Sequence, residues 1–218
     1  LLGLVGSEMC IRDSLEVGDF ALSITNGVAT IGSATPTSIS RIGDHQYVLG
    51  FSLSGTPNGS EQLAVVPIAN SIFDINGTAS STSQSNNTVN LFEKVLPTIS
   101  STALAADNST ITATFSEAVF KSRSTSGTGF AGNGDLEVSD FVLSMSGGVA
   151  TLGSATPTSI SKSSNAYTLG INYIGLPNGS EVITVIPAQD AIYDNTGNIA
   201  STTQSNNTKT FNLSLIHI

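Results

Sequence analysis

The feature that most limits how this chain can fold is an internal repeat of about 120 residues. The stretch LEVGDFALSITNGVATIGSATPTSIS, residues 15–40, returns as LEVSDFVLSMSGGVATLGSATPTSIS, residues 136–161. Two shorter strings also occur twice: PNGSE at 57–61 and 177–181, and QSNNT at 84–88 and 204–208. Solenoid repeats run to only about 20–50 residues. The long period therefore predicts a whole domain repeated in tandem.

The repeat predicts one complete and one shortened domain. The second copy is expected to occupy residues 97–212. Nothing before Leu15 corresponds to 97–135, so the first copy, 15–96, is expected to lack its first strands. The stretch FEKVLPTISS, residues 92–101, is the predicted junction, because Pro97 and its short polar surroundings favour a brief and stiff connection.

The two ends of the chain do not share the character of the repeat. The apolar run in LLGLVGSEMC, residues 1–10, is shorter than a signal peptide requires and has no positive segment before it. The final LSLIHI, back-translated and read on the opposite strand in another frame, gives Met-Cys-Ile-Arg-Asp, which matches residues 9–13. Both ends resemble the translated end of a transposase-based sequencing adapter. We therefore predict that 1–14 and 213–218 are adapter-derived, and that the natural sequence, 15–212, is a fragment cut at both ends.

Alternating apolar residues predict β-strands, because successive side chains of a strand point to opposite faces. In the second copy three strands each collect apolar residues on one face: Ile111, Ala113 and Phe115; Phe141, Leu143 and Met145; Tyr167, Leu169, Ile171 and Tyr173. EVITVIP (181–187) is nearly all apolar, as a central strand can be, and TKTFNL (208–213) is the predicted last strand. Short strands separated by Gly, Asn, Pro and Ser predict an all-β fold of tandem immunoglobulin-like antiparallel β-sandwiches, the first one truncated.

Charge and cysteine content exclude several classes of function. Removing Glu8, Arg12 and Asp13 from the 7 basic and 16 acidic residues leaves six and fourteen, a net charge of −8. Such a chain has no electrostatic basis for binding nucleic acid. It contains no run of about 18 apolar residues, so we predict no membrane insertion. Outside Cys10 there is no cysteine, which excludes a disulfide scaffold and thiol catalysis.

We expect the chain not to be an enzyme. His45 is the only histidine of 15–212, so the second copy cannot hold a Ser-His-Asp triad. Glu117 and Asp140 would suit a glycosidase that uses paired carboxylates. Against this, the chain has no tryptophan and few aromatic residues with which to form a sugar platform.

The turn DNTGN supplies a first group of candidate calcium ligands. Asp194, Asn195 and Asn198 carry side-chain oxygens, and calcium takes six to eight oxygen ligands. The alternative interpretation is a plain turn, which Asp194 begins and in which Gly197 takes a positive φ. The first copy has Thr78 where Asn198 stands, so the two copies do not share every side chain of the group.

A second group of candidate calcium ligands is made of carboxylates at strand ends. Glu117 closes one predicted strand, and the others stand where the next begins: Asp135, Glu137 and Asp140. If those ends adjoin, a cation would relieve their mutual repulsion. Calcium held between tandem domains would stiffen the array. The alternative interpretation is that these are solvated strand ends. Glu16 and Asp19 match two of them in the first copy.

The recurring PNGSE string has an Asn-Gly pair typical of β-hairpin turns. Its acidic residue, Glu61 or Glu181, is therefore predicted to be a surface group beside a turn. The Asn-x-Ser/Thr sequences, such as those at Asn58, Asn108 and Asn178, are predicted to mark surface loops.

Three strings together resemble the bacterial immunoglobulin-like repeats of large secreted, adhesin-like surface proteins: STITATFSEAVF (109–120), LEVSDFVLS (136–144) and IYDNTGNIAS (192–201). The resemblance implies export to the cell surface and a non-catalytic role as a spacer or cell-adhesion array. The implied partners are neighbouring repeats of the same chain and a cell-surface glycan or protein. The alternative is a glycan- or protein-binding accessory module of a secreted enzyme, which an exposed row of aromatic residues would favour.

Overall fold

The computed structural model describes residues 15–126 and 129–213, without the side chains of 125–130. Of the two predicted adapter-derived segments, 1–14 lies wholly outside the described residues, and 213–218 does so except for Leu213. The described chain is all-β, and its strand pairs are antiparallel. It forms two compact units, with the boundary between Lys94 and Val95. No helix in the described part of the chain has the length and apolar character needed to span a bilayer.

The first unit has two strand pairs and one three-stranded sheet among its described residues. A single 3-10 turn, Val17–Asp19, precedes the first strand. Its strands are β1 Phe20–Thr25, β2 Thr30–Ile31, β3 Ser38–Gly43, β4 Gln46–Gly50, β5 Leu53–Ser54, β6 Gln62–Pro67 and β7 Thr88–Asn90. β6 lies between β1 and β7, while β2 pairs with β5 and β3 with β4.

The second unit repeats this plan and adds strands to it. Its 3-10 turn is Val138–Asp140. Its strands are β8 Ile99–Leu104, β9 Thr110–Phe115, β10 Val119–Phe120, β11 Ser122–Ser126, β12 Gly129–Asn133, β13 Phe141–Ser146, β14 Thr151–Leu152, β15 Ile160–Ser163, β16 Ala166–Gly170, β17 Tyr173–Ile174, β18 Val182–Pro187, β19 Tyr193–Asp194 and β20 Thr208–Thr210. The two larger sheets have the orders β13-β18-β20 and β15-β16-β9-β8, and three strand pairs complete the unit: β10 with β19, β11 with β12, and β14 with β17.

These two larger sheets pack face to face around an aromatic cluster. The ring of Phe115 lies 5.9 Å from that of Tyr167 in its own sheet and 6.3 Å from that of Phe141 in the opposite sheet. Burying an apolar side chain of this size contributes about 1.5–3 kcal/mol. Leu143 is 2% exposed and Ile171 8%. The all-β antiparallel sandwich expected from the alternating pattern is therefore confirmed, as is the central position of β18.

Two details differ from the sequence prediction. β8 begins at Ile99, inside the predicted junction 92–101, and the Ile99 side chain is only 1% exposed. The end of that segment is therefore part of the second sandwich. The hairpin β11–β12 was not predicted, because the serine- and glycine-rich stretch 122–133 has no apolar alternation.

The two units share their strand register. Phe20 pairs with Pro67 across β1 and β6, and Phe141 pairs with Pro187 in the same way across β13 and β18. The units differ at β4 and its counterpart β16. β16 pairs with both β15 and β9, whereas β4 pairs, among the strands of the described residues, with β3 alone. The first unit thus has no counterpart of β8 and β9 in the described chain.

Candidate functional site

Glu181 occupies a buried position between two loops of the second unit. Its side chain is 0% exposed. One carboxylate oxygen accepts hydrogen bonds from the N–H groups of Val149 (2.9 Å) and Ala150 (3.0 Å). The other accepts from Asn178 and Gly179, both at 3.1 Å. The carboxylate therefore ties the loop that follows β13 to the loop that precedes β18.

The same arrangement recurs in the first unit. Glu61 is 0% exposed and accepts hydrogen bonds from the N–H groups of Val28 (2.8 Å) and Ala29 (3.0 Å). It also accepts one from Asn58 at 3.0 Å. The recurring strings GVAT and PNGSE are thus the two halves of one hydrogen-bonded unit, which explains why both are repeated.

Glycine is required where the first loop passes the carboxylate. Gly148 has a φ of +62°, and a Cβ atom there would lie 2.2 Å from the carboxylate of Glu181. Gly27 has a φ of +65°, and its Cβ would lie 2.3 Å from the carboxylate of Glu61. Both the backbone conformation and the available space exclude a side chain at these positions.

The hydrogen bonds keep both glutamates ionised. Burial by itself would raise the pKa of Glu181, but the N–H groups of Ala150, Val149, Asn178 and Glu181 itself together lower it to about 2. The pKa of Glu61 is lowered to about 2 for the same reasons. Since their oxygens are already occupied by backbone donors, these groups are suited to holding loops and unsuited to exchanging protons.

The sequence interpretation of PNGSE was therefore wrong in two respects. Its glutamate is buried, and the string does not close a β-hairpin. β17, before it, pairs with β14, whereas β18, after it, pairs with β13 and β20. Within the Asn-Gly pair only Gly179 has a positive φ, of +81°, whereas the hairpin turn typical of Asn-Gly needs it at both residues.

The candidate calcium turn is centred on Asp194, which is 0% exposed. Its Oδ1 accepts hydrogen bonds from the N–H groups of Thr196 and Asn198, both at 2.8 Å, and from the Thr196 hydroxyl at 3.0 Å. Its Oδ2 accepts from the Asn198 amide at 2.8 Å. Gly197 takes a φ of +86°. These hydrogen bonds are the ones expected of a plain turn, which is the alternative to a calcium site. Asn195 is exposed.

A simpler form of this turn is present in the first unit. Asp74 accepts hydrogen bonds from the N–H groups of Asn76 (2.9 Å) and Thr78 (2.8 Å), and Gly77 takes a φ of +79°. The Thr78 N–H is the main cause that lowers the pKa of Asp74. The turn therefore forms with threonine in place of Asn198, although Asp74 is exposed.

The structure brings Glu117 beside this turn, with a carboxylate oxygen within 4.8 Å of one from Asp194. The remaining candidates have other contacts. Asp135 pairs with Lys162 at 3.0 Å and Glu137 with Lys121 at 2.6 Å, and all four side chains are substantially exposed. Among the described residues, neither of these acids joins a group of three metal-ligating side chains. Of the predicted ligands, Glu117 and Asn198 thus both lie beside Asp194.

Asp140, the last candidate, caps the 3-10 turn. Its Oδ2 accepts the Glu137 N–H at 2.7 Å, just as Asp19 accepts the Glu16 N–H at 2.8 Å in the first unit. Burial raises the pKa of Asp140, and the hydrogen bond from Glu137 opposes that rise. Asp140 also falls in no group of three metal-ligating side chains among the described residues.

Four polar side chains join the beginning of the second unit to its end. The Ile99 N–H donates to Gln204 Oε1 at 2.7 Å, and Thr102 Oγ1 lies 3.1 Å from the carbonyl oxygens of Asn206 and Thr208. The side chains of Thr102, Asn108, Gln204 and Asn212 are together called the end clamp. Asn108 Nδ2 donates to the Asn212 carbonyl at 2.9 Å, and the Asn212 N–H donates back to Asn108 Oδ1 at 2.8 Å.

The end clamp was not predicted, although the sequence carries part of its signal in the repeated QSNNT string. QSNNT recurs unchanged, and Asn207 and Asn87 in it donate to the Val185 and Val65 carbonyls at 2.8 and 2.9 Å. Asn108 was placed on a surface loop, but it is only 4% exposed because the end clamp covers it. His45 is exposed, in the turn between β3 and β4.

A shallow groove of about 270 Å³ runs beside the end clamp. Its lining is hydroxyl, amide and ammonium groups: Ser100, Ser101, Thr102, Ser205, Asn206, Thr208 and Lys209. No aromatic ring lines it, so the groove has no stacking surface for a sugar.

Comparison with known proteins does not identify the chain. No protein-family model matches the chain, and no curated protein or solved structure matches it either. What the molecule does is therefore inferred from its own residues.

Proposed function

We propose that this chain is a non-catalytic structural module of a large exported bacterial surface protein. It serves as a spacer in a tandem array that carries adhesive or other domains away from the cell. The observation that carries the proposal is the end clamp, which bonds the first strand of the second unit and the turn after it to the last residues of the unit. The sequence resemblance to bacterial immunoglobulin-like surface repeats supports the same role.

The end clamp suits a module that bears tension. In a tandem array, force enters a unit at its first strand and leaves at its last segment. Bonds between Asn108 and Asn212 lie directly in that path. Several hydrogen bonds that must break together resist extension more than the same bonds broken one at a time.

The buried carboxylates also favour a structural role. The carboxylates of Glu61 and Glu181 hold loops together through hydrogen bonds to backbone N–H groups. Their low pKa values leave them ionised over the whole physiological range. The alternative of a ligand-binding accessory module would gain support from an exposed row of aromatic residues. The first unit exposes Phe51, Phe73 and Phe92, whereas in the second unit none of the described large apolar side chains that are exposed is aromatic.

Pulling the full chain by its two ends in a force spectrometer tests the spacer role. We expect the second unit to give a discrete force peak and to release residues 99–212, which are roughly 400 Å long when fully extended. Asn108→Ala should lower the peak force because it removes both bonds to the Asn212 backbone. Asn172→Ala, at an exposed asparagine of the same unit, is the matched control. Extension without a peak, or an unchanged force in Asn108→Ala, would contradict the proposal.

A further inference from the structure

The groove beside the end clamp is bounded by edge strands of the two larger sheets of the second unit. β8 is the last strand in the order β15-β16-β9-β8, and β20 is the last in β13-β18-β20. Ser100, Ser101 and Thr102 line the groove from β8, and Thr208 and Lys209 line it from β20. Its volume of about 270 Å³ is just below the ~300–1,000 Å³ typical of small-ligand pockets. A shallow groove of this size suits one unit of an extended chain.

Hydrogen bonds within the unit fix the shape of the groove. Thr102 Oγ1 lies 3.1 Å from the carbonyl oxygens of Asn206 and Thr208, so it joins one wall to the other. The Asn207 amide donates to the Val185 carbonyl at 2.8 Å and holds the segment before β20 in place. A ligand would therefore meet walls that are already ordered, which lowers the entropy cost of binding.

Most of the polar groups that line the groove are available to a ligand. Five side chains of the lining are exposed and make no hydrogen bond or ion pair to another described residue: Ser101, Ser205, Asn206, Thr208 and Lys209. Together they offer three hydroxyls, one amide and one ammonium group. The groove can therefore donate several hydrogen bonds to the oxygens of a ligand.

Lys209 gives the groove a positive charge within an acidic chain. No carboxylate is among the lining residues, although the whole sequence has a net charge of −9. The first unit has Val89, 58% exposed, at the equivalent position. The cation is thus a feature of the second repeat and not of the strand plan that both units share. Because a chain of this charge repels acidic polymers in general, an acidic ligand would have to be held locally, at this ammonium group.

The chemistry of the lining favours a sugar chain over a peptide. Sugar hydroxyls both donate and accept hydrogen bonds, as do serine and threonine hydroxyls and the asparagine amide. Sites for extended peptides supply pockets for alternate side chains. No apolar side chain is among the lining residues to form such a pocket.

We propose that this groove binds an acidic group carried on a sugar chain, either a sulfate ester or a uronate carboxylate. The ammonium of Lys209 pairs with the acidic group, and the hydroxyl and amide groups around it exchange hydrogen bonds with the sugar. Since no aromatic ring lines the groove, the acidic group rather than the face of the sugar ring provides the affinity. The site is separate from the spacer role, because a module can bear tension with the groove empty.

Nuclear magnetic resonance titration of the isotope-labelled full chain tests this site. The probes are a chondroitin sulfate tetrasaccharide, the same tetrasaccharide without its sulfates, neutral maltotetraose and a tetraglutamate peptide. We expect the amide signals of Ser101 and of 205–209 to shift with the sulfated sugar. A similar shift with the unsulfated sugar, which keeps its carboxylates, would identify the carboxylate as sufficient, and its absence would identify the sulfate ester.

Four exposed substitutions test the roles of the side chains without disturbing the fold. Lys209→Ala should weaken binding about fivefold or more, since it removes a charge-assisted hydrogen bond, and Lys209→Arg should retain binding. Ser205→Asp should abolish binding, because it places a second negative charge in the groove. Lys121→Ala removes a positive charge elsewhere in the same unit and is the matched control.

Three results would overturn this assignment. The first is that neither acidic sugar shifts the signals of the groove. The second is equal binding by maltotetraose or by tetraglutamate, which would remove the acid or the sugar from the recognition. The third is an equal loss of affinity in Lys209→Ala and Lys121→Ala, which would reduce the effect to overall charge. None of these results bears on the unfolding force, so the spacer role stands or falls separately.

Discussion

Glu181 joins two loops through a carboxylate that meets only backbone donors. Glutamine keeps the size of the side chain but turns one oxygen into an NH₂ group, which would then face backbone N–H groups. We expect Glu181→Gln to lower the melting temperature of the second unit by roughly 5–10 °C, since a buried donor without an acceptor is costly. Differential scanning calorimetry at pH 7 measures this. Glu137→Gln, which removes an exposed ion pair, is the control and should change the melting temperature little.

The same variant should show a pH dependence of definite sign. The pKa of Glu181 is about 2 in the folded chain and 4.5 for an ordinary glutamate. A folded pKa below the unfolded one adds stability that is complete above about pH 4.5 and is lost as the pH falls towards 2. The gap in melting temperature between the wild type and Glu181→Gln should therefore narrow from pH 5 to pH 2. A gap that stays constant would mean that the charge is not what holds the loops.

Gly148 tests the space around the same carboxylate. In Gly148→Ala the alanine has to adopt a positive φ, and its Cβ atom would lie 2.2 Å from the carboxylate of Glu181. In Gly134→Ala the alanine also has to adopt a positive φ, +79°, but its Cβ atom would lie 3.7 Å from the nearest atom, Lys121 Cβ, which is an ordinary contact. We expect about 1–2 kcal/mol of destabilisation in Gly134→Ala from the backbone alone. Gly148→Ala should cost a further ~1–3 kcal/mol from the steric clash. Equal losses in urea denaturation would show that the loop can move away from Glu181.

At the scale of strands, β4 and β16 are equivalent strands of the two units, so the same substitution can be compared in both. Leu169 is 0% exposed because β9 covers it, whereas Leu49 is half-buried. Leu169→Ala should cost about 2–5 kcal/mol, as buried leucines do. Leu49→Ala should cost less than half as much. Denaturant unfolding of each variant measures the difference, and similar losses would show that the edge of β4 is covered in solution.

The strands of the second unit could be predicted because their burial alternates. Ile111, Ala113 and Phe115 are all at most 2% exposed, as the period of two requires. The contacts of Glu181 could not be predicted, because its donors Val149 and Ala150 are more than 30 residues away in the chain. Sequence neighbours suggested a turn, but the tertiary fold buried the side chain. Only the joint recurrence of GVAT and PNGSE pointed to a link between them.

The turn around Asp194 carries the remaining calcium prediction. Two carboxylates within 4.8 Å repel each other, and a cation between them would relieve that repulsion. If calcium binds, the melting temperature of the second unit should rise with calcium and fall with a chelator. Glu117→Gln should abolish the response, whereas Asp135→Asn, at an exposed ion pair, should retain it. An unchanged melting temperature in the wild type would remove the prediction.

At the scale of the whole molecule, the two units should differ in stability although they share a plan. The second unit closes its sandwich with β8 and β9 and buries a cluster of sixteen apolar residues. In the first unit, Leu22, Ala29 and Leu63 are the apolar residues that reach the same degree of burial among the described ones. Hydrophobic stabilisation scales with the apolar area removed from water, so the first unit should be the less stable.

Calorimetry of the full chain should therefore show two transitions rather than one. The equivalent glutamates assign them: Glu61→Gln should lower only the first transition, and Glu181→Gln only the second. Each carboxylate contacts loops of its own unit, so neither change has a direct route to the other transition. A single transition that both variants lower equally would mean that the units unfold cooperatively. In a spacer array such coupling would pass a failure of one repeat to the next, whereas independent units would confine it.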